Sequence, residues 1–510
     1  MAYSLLKDSI ISVRFKEGRK IEKIALPEVF EGLMQNKIVS FEALQPHQKQ
    51  PWFSFLVQLG AMAVAREADG EIPIEASNWS DLLLGLSEEN YYAWQLVVDD
   101  ISQPAFMQPP VPEGSLEDAG YKADVRTPDE LDMLVTSKNH DVKRTRILRP
   151  AIEHWLFALI TLQTMEGIMG RGNYGIVRMN GGYGNRPFVG YTSDLSWSKH
   201  FKRDLKVLLE KRDKLLDMYK EGGHVLLWLS EWDGNKTSGI PINKCDPYFI
   251  EICRRIRFLR EEDKIICYRT NTKAGRISAS DDLHGQTNDP WTPIDKSELK
   301  ALTVGESGFS YKLLQNLLLG DEYSAPIALE FQDDEEEGAY LVARTLVRGQ
   351  GKTDGLHQRI VPVPSDVTRR LFKDPTEKEK LAKRAKQRVE LAGHVQNNIL
   401  RPAISPLLAS GKEQRVSPDK IRPWLDRFDD SIDEHFFDSL WGSVDKPDEE
   451  ARRMWEEILY REAQKQLEKA EQSIPMADIR RLKAISKARS IFGFRVRQEL
   501  EMFNQPANTH

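Results

Sequence analysis

AIEHWLFALITLQTMEGIMGRGNYGIVRMNGGYGNRPFVG, Ala151 to Gly190, joins an apolar run of helical period to a run of glycines. From Met169 onward it places seven glycines in 22 residues, with Arg171, Arg178 and Arg186 and no acid. The order of the two halves decides the fold class. MGRGNYG contains the letters GxGxxG, but a dinucleotide fingerprint needs a strand before it and a helix opening at the last glycine. Here a helix precedes and the glycines continue, and the segment holds no GxxxxGK[ST]. A doubly wound nucleotide fold is set aside in favour of an α+β chain with irregular functional loops. Glycine lets backbone amides approach a surface that a Cβ would hold away, and arginines beside it suit a phosphate or a groove edge. The other reading is a loop packed on its own domain, its glycines serving turns.

Towards the N-terminus, SIISVRFKEGRKIEKIAL alternates apolar and basic residues about Glu17-Gly18, the pattern of a hairpin. Helical periodicity occupies about Ser40 to Arg66, Glu89 to Ile101 and Pro150 to Glu166. Pro104 to Pro128, with five prolines and four acids, reads as an irregular connection. Downstream, Trp197 to Tyr219 predicts an amphipathic helix, HVLLWL a strand, and Asp246 to Arg260 a helix or a strand. In the acidic run Asp333 to Glu337, adjacent side chains splay around the backbone, which favours a solvated loop over a metal site.

From Ser365 onward the pattern is helical: about Thr376 to Leu408, Ser417 to Leu440, Asp448 to Ser473 and Ala477 to Met502. Ser417-Pro418-Asp419 and Lys446-Pro447-Asp448 put proline and acid where helix N-termini favour them. Short connections between long helices imply an up-and-down four-helix bundle. The chain therefore divides into a mixed α/β N-terminal domain, 1–365, and a C-terminal four-helix bundle, 366–510. The first bundle helix, with Lys378, Lys380, Lys383, Arg384, Lys386 and Arg388, and the last, with Arg480, Arg481, Lys483, Lys487, Arg489, Arg495 and Arg497, are basic, and the second is acidic. If first and last are adjacent, their basic faces merge into one stripe able to follow a phosphate backbone; pairing between bundle neighbours is the alternative use of these charges.

At 510 residues two or more domains are expected. Apolar residues at 40% and charged residues at 29% suit a folded globular chain. A net charge of −6 argues against coating nucleic acid with the whole surface but leaves room for local basic strips. The apolar runs around Phe55 to Ala65 and Trp155 to Ile160 fall short of the roughly 20 residues of a membrane span. Lys7 and Asp8 interrupt any secretory signal, so a cytoplasmic location is expected. Cys245, Cys253 and Cys267 form no CxxC pair and read as free thiols.

Two further stretches carry chemistry. Lys138-Asn139-His140-Asp141-Val142-Lys143-Arg144-Thr145-Arg146 is a basic loop suited to RNA or DNA; His140 and Asp141 also admit a metal-dependent nuclease, although no further ligands are organised around them. Ala339 to Pro364 predicts a hairpin with basic arms, Arg344, Arg348 and Arg359, about a turn from Gly349 to Gly355. Such a tip can be pressed between DNA strands, at a cost on the order of a few kcal/mol per unstacked step.

Taken in order, SLLKDSIISVRFKEGRKIEKIALPEVF, Pro104 to Gln108, the glycine segment, the hairpin and the helical bundle resemble the large CasA subunit of the type I-E CRISPR Cascade surveillance complex. The likeness spans nearly the whole chain. It implies a non-catalytic subunit whose glycine loop, here Gly170, Arg171, Gly172 and Asn173, approaches the protospacer-adjacent motif (PAM) of double-stranded target DNA from the minor groove. Lys273 or Arg276 would take the place of the family's motif-reading lysine. Gln350, Gly351, Lys352 and Thr353 would be the wedge that opens the first base pairs. Lys138, Asn139, His140 and Lys143 would reach the crRNA 5′ handle and the other Cascade subunits. The bundle, through Arg480, Lys483 and Lys487, would hold opened DNA, and the CRISPR helicase-nuclease would dock on the subunit. No cofactor, metal or membrane is expected.

Overall fold

The computed structural model describes residues 3–18, 20–68, 70–132, 149–168, 170–182, 184–262, 264–278, 283–332, 338–349, 352–410 and 416–503, with backbone alone for Asp124 and Lys352. Two compact units emerge: residues 1–309 with 322–362, and residues 310–321 with 363–510.

In the first unit, β1 (Ile11–Phe15) and β2 (Ile21–Ile24) pair antiparallel with Ile11 opposite Ile24, as the alternation about Gly18 predicts. Helix α1 (Leu26–Met34) carries Pro27 in its first turn, and the Glu28 carboxylate accepts the Ala25 N–H at 2.7 Å. Strand β3 (Ile38–Phe41) returns beside β1. Helix α2 (Lys49–Glu67) is buried on every side from Gln50 to Val64, so its apolar residues show no single stripe. Around it lie α3 (Ala76–Leu86), α4 (Ile152–Met165), α5 (Trp197–Lys211) and strand β6 (Cys245–Ile250). Gly60 permits the close approach, since a Cβ there would stand 3.3 Å from the Phe30 ring.

The segment Glu89 to Ile101 is not the helix its period suggests. Only Tyr91–Trp94 coils, as a 3₁₀ turn; beyond it the chain is held extended because Leu96 N–H donates to Tyr3 O at 3.1 Å and Phe106 N–H to Gln95 O at 2.8 Å. Asp246 to Arg260 resolves into strand: β6 continues to Ile250, and β7 (Arg255–Glu261) pairs antiparallel with β8 (Lys264–Thr270). The three cysteines are free and buried.

The second unit is helical. Helix α6 (Tyr311–Leu319) precedes in sequence α7 (Ser365–Lys373), α8 (Pro375–His394), a π-helical stretch at Val395–Leu400, α9 (Arg401–Leu408), α10 (Pro418–Trp441), α11 (Asp448–Ser473) and α12 (Asp478–Glu499). Asp374 caps α8 by accepting Thr376 N–H and Glu377 N–H at 3.0 and 3.1 Å. The π stretch falls just before Pro402, whose missing N–H and ring disturb the preceding turn. Phe436 packs edge-on to Trp455 at 5.7 Å and against Tyr311 at 4.8 Å, so α6 completes the core of α10 and α11.

First and last bundle helices meet at their C-terminal ends, where Arg495 of α12 pairs with Glu499 beside His394, but the far ends of their basic stretches lie apart. His394 Nε2 lies 2.8 Å from Glu499 Oε2, which sets the end of α12 level with the end of α8. Since α12 then runs back along the π stretch and α9, Lys383 and Lys483 are separated by about 40 Å at 1.5 Å per residue. Several of the cations serve neighbour pairing instead. Arg384 meets Asp448 at 2.6 Å, Arg489 meets Glu471 at 2.6 Å, and Arg388 is buried with its guanidinium on Ser439 and Ser443. The partners are on α11 as well as α10; Asp429 and Asp433 of α10 turn to α6, with Asp429 2.7 Å from Lys312 and Asp433 accepting the Tyr311 N–H.

Candidate nucleic-acid interface

The glycine segment leaves α4 at Glu166 and enters strand β5 (Phe188–Thr192). Between them most of its glycines meet this protein itself. A Cβ on Gly175 would lie 2.6 Å from the Gly167 backbone, one on Gly184 would lie 2.2 Å from Asn180 O, and one on Gly172 would lie 2.9 Å from Asn271. Three positions differ. Gly170, Gly181 and Gly182 have nothing within 4 Å of a built Cβ and are exposed, so the loop offers two open backbone tips.

The arginines divide the same way. Arg171 is exposed, whereas Arg178 and Arg186 are 1% and 4% exposed and converge on Asp289. Arg186 Nη2 lies 2.6 Å from Asp289 Oδ2, Arg178 Nη1 lies 3.5 Å from it, and the Arg178 guanidinium sits 4.2 Å over the Phe249 ring. Burial alone would raise the Asp289 carboxyl, but the two guanidiniums hold it below the usual carboxylate range. Gln50 and Gln58 of α2 bind Arg186 O at 2.6 Å and Arg186 Nη2 at 3.1 Å. Arg178 and Arg186 therefore anchor the loop in the core and are not available to a phosphate.

NTKAGR lies against the first tip. Thr272 N–H donates to Gly172 O at 3.0 Å, and Lys273 is exposed with no ion pair among the described residues. Arg276 is corrected to a structural role. It is 1% exposed, and its guanidinium donates to the carbonyls of Leu227, Ser230, Glu231 and Ser238 at 2.9 to 3.1 Å.

The hairpin consists of β9 (Ala339–Gly349) and β10 (Lys352–Val363), so Thr353, Asp354 and Gly355 lie on a strand. Its first arm pairs antiparallel with β5, Val342 opposite Gly190 and Arg344 opposite Phe188. Glycine segment and hairpin thus end in one sheet, in the order β10-β9-β5. A buried ion pair joins them again: Arg348 Nη2 lies 3.1 Å from Glu166 Oε1, while Arg348 Nη1 donates to Thr353 Oγ1 at 3.0 Å. Glu166 O in turn accepts the Ile176 N–H at 3.1 Å. Burial pushes the Glu166 carboxyl up, against the pull of Arg348.

With this geometry in place, the match to known proteins is direct: residues 4–466 match the family described as CRISPR-associated protein Cse1. The chain belongs to the Cse1 family. It is a CasA-type large subunit of a CRISPR Cascade complex. Crystal structures similar to it include CasA of Thermus thermophilus, 13% identical with TM-score 0.64 over 98% of this chain and 100% of that one. Cse1 of Thermobifida fusca is 14% identical with TM-score 0.65, and Cse1 of Acidimicrobium ferrooxidans 15% with TM-score 0.60, each covering 99% of both chains. No curated protein sequence matches the chain.

Within this Cse1-family chain, Gly170, Arg171, Gly172, Asn173 and Lys273 are brought together. Gln350 and Gly351, and Lys138, Asn139, His140, Asp141 and Lys143, lie outside the described residues. Arg480, Lys483 and Lys487 are exposed on one face of α12 in the second unit. Sequence reasoning missed Glu166, Glu251, Arg254 and Asn271. Glu251 accepts the Val177 N–H, and Arg254 donates to the carbonyls of Tyr174 and Gly167, so both fix the loop from 74 to 87 residues away. No local pattern marks such distant anchors.

Proposed function

We propose that this subunit is non-catalytic, recognises the PAM on double-stranded DNA, starts strand separation and R-loop formation, and offers the helicase-nuclease a docking surface. One observation carries the reading: the open glycine tip and the hairpin belong to a continuous piece of structure, joined by β5 and by the Glu166–Arg348 pair. Gly170 to Asn173 with Lys273 would enter the minor groove, where a degenerate pattern suits tolerance of several short motifs. Gln350, Gly351, Lys352 and Thr353 would part the first base pairs. Guide pairing replaces about the duplex stability it destroys, so motif binding and a local push suffice. Lys138, Asn139, His140 and Lys143 would contact the crRNA handle and other subunits, and Arg480, Lys483 and Lys487 the opened strand.

The test is an electrophoretic shift with the reconstituted complex on motif-bearing duplex and on the same target pre-opened as a bubble. Lys273→Ala should weaken duplex binding about tenfold, the loss of one good groove contact. Replacing Gln350 and Lys352 by alanine should weaken duplex binding and spare the bubble. Equal losses on both targets would remove the wedge role, and metal-dependent cleavage abolished by His140→Ala would replace the reading with a nuclease.

A further inference from the structure

The glycine segment also walls a cavity of about 660 Å³, within the roughly 300–1,000 Å³ of small-molecule sites. The Tyr174 ring and the Ile176, Met179 and Ile277 side chains give it apolar lining, and exposed Lys236 and Lys273 line it too. Glu251, 4% exposed, is its buried carboxyl. Among the described residues the only donor to Glu251 is Val177 N–H, 3.0 Å from each oxygen. A carboxylate accepts about four hydrogen bonds, so among the described residues this one keeps acceptor directions that no protein group fills. A buried, under-satisfied ionisable group in a cleft is a mark of ligand recognition.

Resting on the nucleic-acid reading above, we propose that this cavity receives one unpaired guanine, with N1–H and N2–H donated to Glu251, the ring between the apolar walls, and the phosphate near Lys236 and Lys273. The carboxylate selects the base. Two adjacent donors are the edge of guanine, whereas the pairing edges of adenine, cytosine and thymine place an acceptor beside a donor. Unpaired bases are read in this way, by their pairing edge and by stacking. The same chemistry would accept a free guanosine nucleotide.

The full-length chain is titrated with a labelled nine-nucleotide thymidine strand carrying one central dG, with the same strand carrying inosine there, and with the all-thymidine strand. Guanosine 5′-monophosphate is followed in parallel by equilibrium dialysis. The dG strand should bind at least about tenfold tighter than all-thymidine, and inosine, lacking the 2-amino donor, should lose most of that gain. Glu251→Gln, which can still accept from Val177, should bring dG down to the all-thymidine level. Monophosphate binding with the same sensitivity would identify a free nucleotide as occupant; preference seen only in the strand would identify nucleic acid. Equal binding of dG and inosine strands overturns the pocket, and that comparison needs no variant to fold. PAM discrimination by the reconstituted complex, measured alongside, separates the two readings: its loss with dG preference intact removes the duplex reading alone, and the reverse removes the pocket alone.

Discussion

The glycine segment and helix α12 are both basic and poor in acids over much of their length, yet they use their cations in opposite ways. In the glycine segment two of three arginines point inward to Asp289, and only Arg171 faces solvent. On α12, a stripe of Ala484, Ala488, Phe492 and Val496 is buried and Arg480, Lys483 and Lys487 face outward. The lesson is about what holds each element in place. A helix satisfies its own backbone and needs only an apolar stripe against its neighbours. An irregular loop has no such ladder, and its backbone and position must be fixed by side chains that reach it, here buried guanidiniums and carboxylates.

That contrast is broken most directly at Asp289. Asp289→Ala leaves two buried guanidiniums facing each other and should cost about 3–5 kcal/mol of stability. Arg171→Ala should stay within about 0.5 kcal/mol. Urea unfolding midpoints check both, and equal midpoints for the two variants would mean that the loop is not anchored as described.

Next in size is a pH effect at Glu251. Burial pushes this carboxyl from 4.5 up to about 7, against the opposing pull of the Val177 N–H, Arg178 and Arg186; Lys236, Lys273 and His284 line the same cavity. Between these two values the unfolded chain has lost the proton that the folded chain keeps. Stability contributed by this group is therefore full below about pH 4.5, falls as pH rises to about 7, and is flat beyond, a total of about 3 kcal/mol. Glu251→Gln should remove that slope. Parallel pH–stability curves for the variant and the parent chain would refute the burial argument.

The bundle was legible because its helices announce themselves: period 3.6 over four long stretches, with Pro418 and Asp448 at their starts. The first-unit hairpins were legible through alternation about Gly18 and through the two β-rich arms of Ala339 to Pro364, although the second strand takes in Thr353 to Gly355. Helix α6 was not, being nine residues long and opened by Ser310, whose hydroxyl accepts from Leu313 N–H, a local bond that ordinary turns also make. Nor could Arg171 be told from Arg178 and Arg186, because the choice is made by Asp289, 111 and 103 residues away. Arg276 and Lys273 stand three apart in NTKAGR, and only the carbonyls gathered around Arg276 separate a core group from a surface one. Charge is a local letter; burial is decided by distant chain.

Glycines sharpen the comparison on a smaller scale. Gly172 has φ +88° and Asn271 at 2.9 Å from its missing Cβ, so Gly172→Ala should cost about 1–2 kcal/mol in the free subunit. Gly181 has open space and no left-handed backbone, so Gly181→Ala should be neutral to stability. Thermal unfolding of both tells whether a glycine is there for this protein or for something that approaches it. A neutral Gly172→Ala would move that position into the second class.

The smallest stability effects belong to α12, and they test the outward half of the contrast. Arg480, Lys483 and Lys487 are exposed along one flank of the buried stripe, with Ile479 and Leu482 also exposed at 94% and 78%. Replacing any one of the three cations by alanine should change stability by less than about 0.5 kcal/mol, since no core contact is lost. If this face follows a phosphate backbone, each replacement should weaken binding of the complex to opened DNA uniformly across sequences and reduce the slope of log affinity against log salt by about 1. An unchanged slope in the triple variant would leave α12 a solvated surface. The two regions would then differ in how they are anchored but not in what they meet.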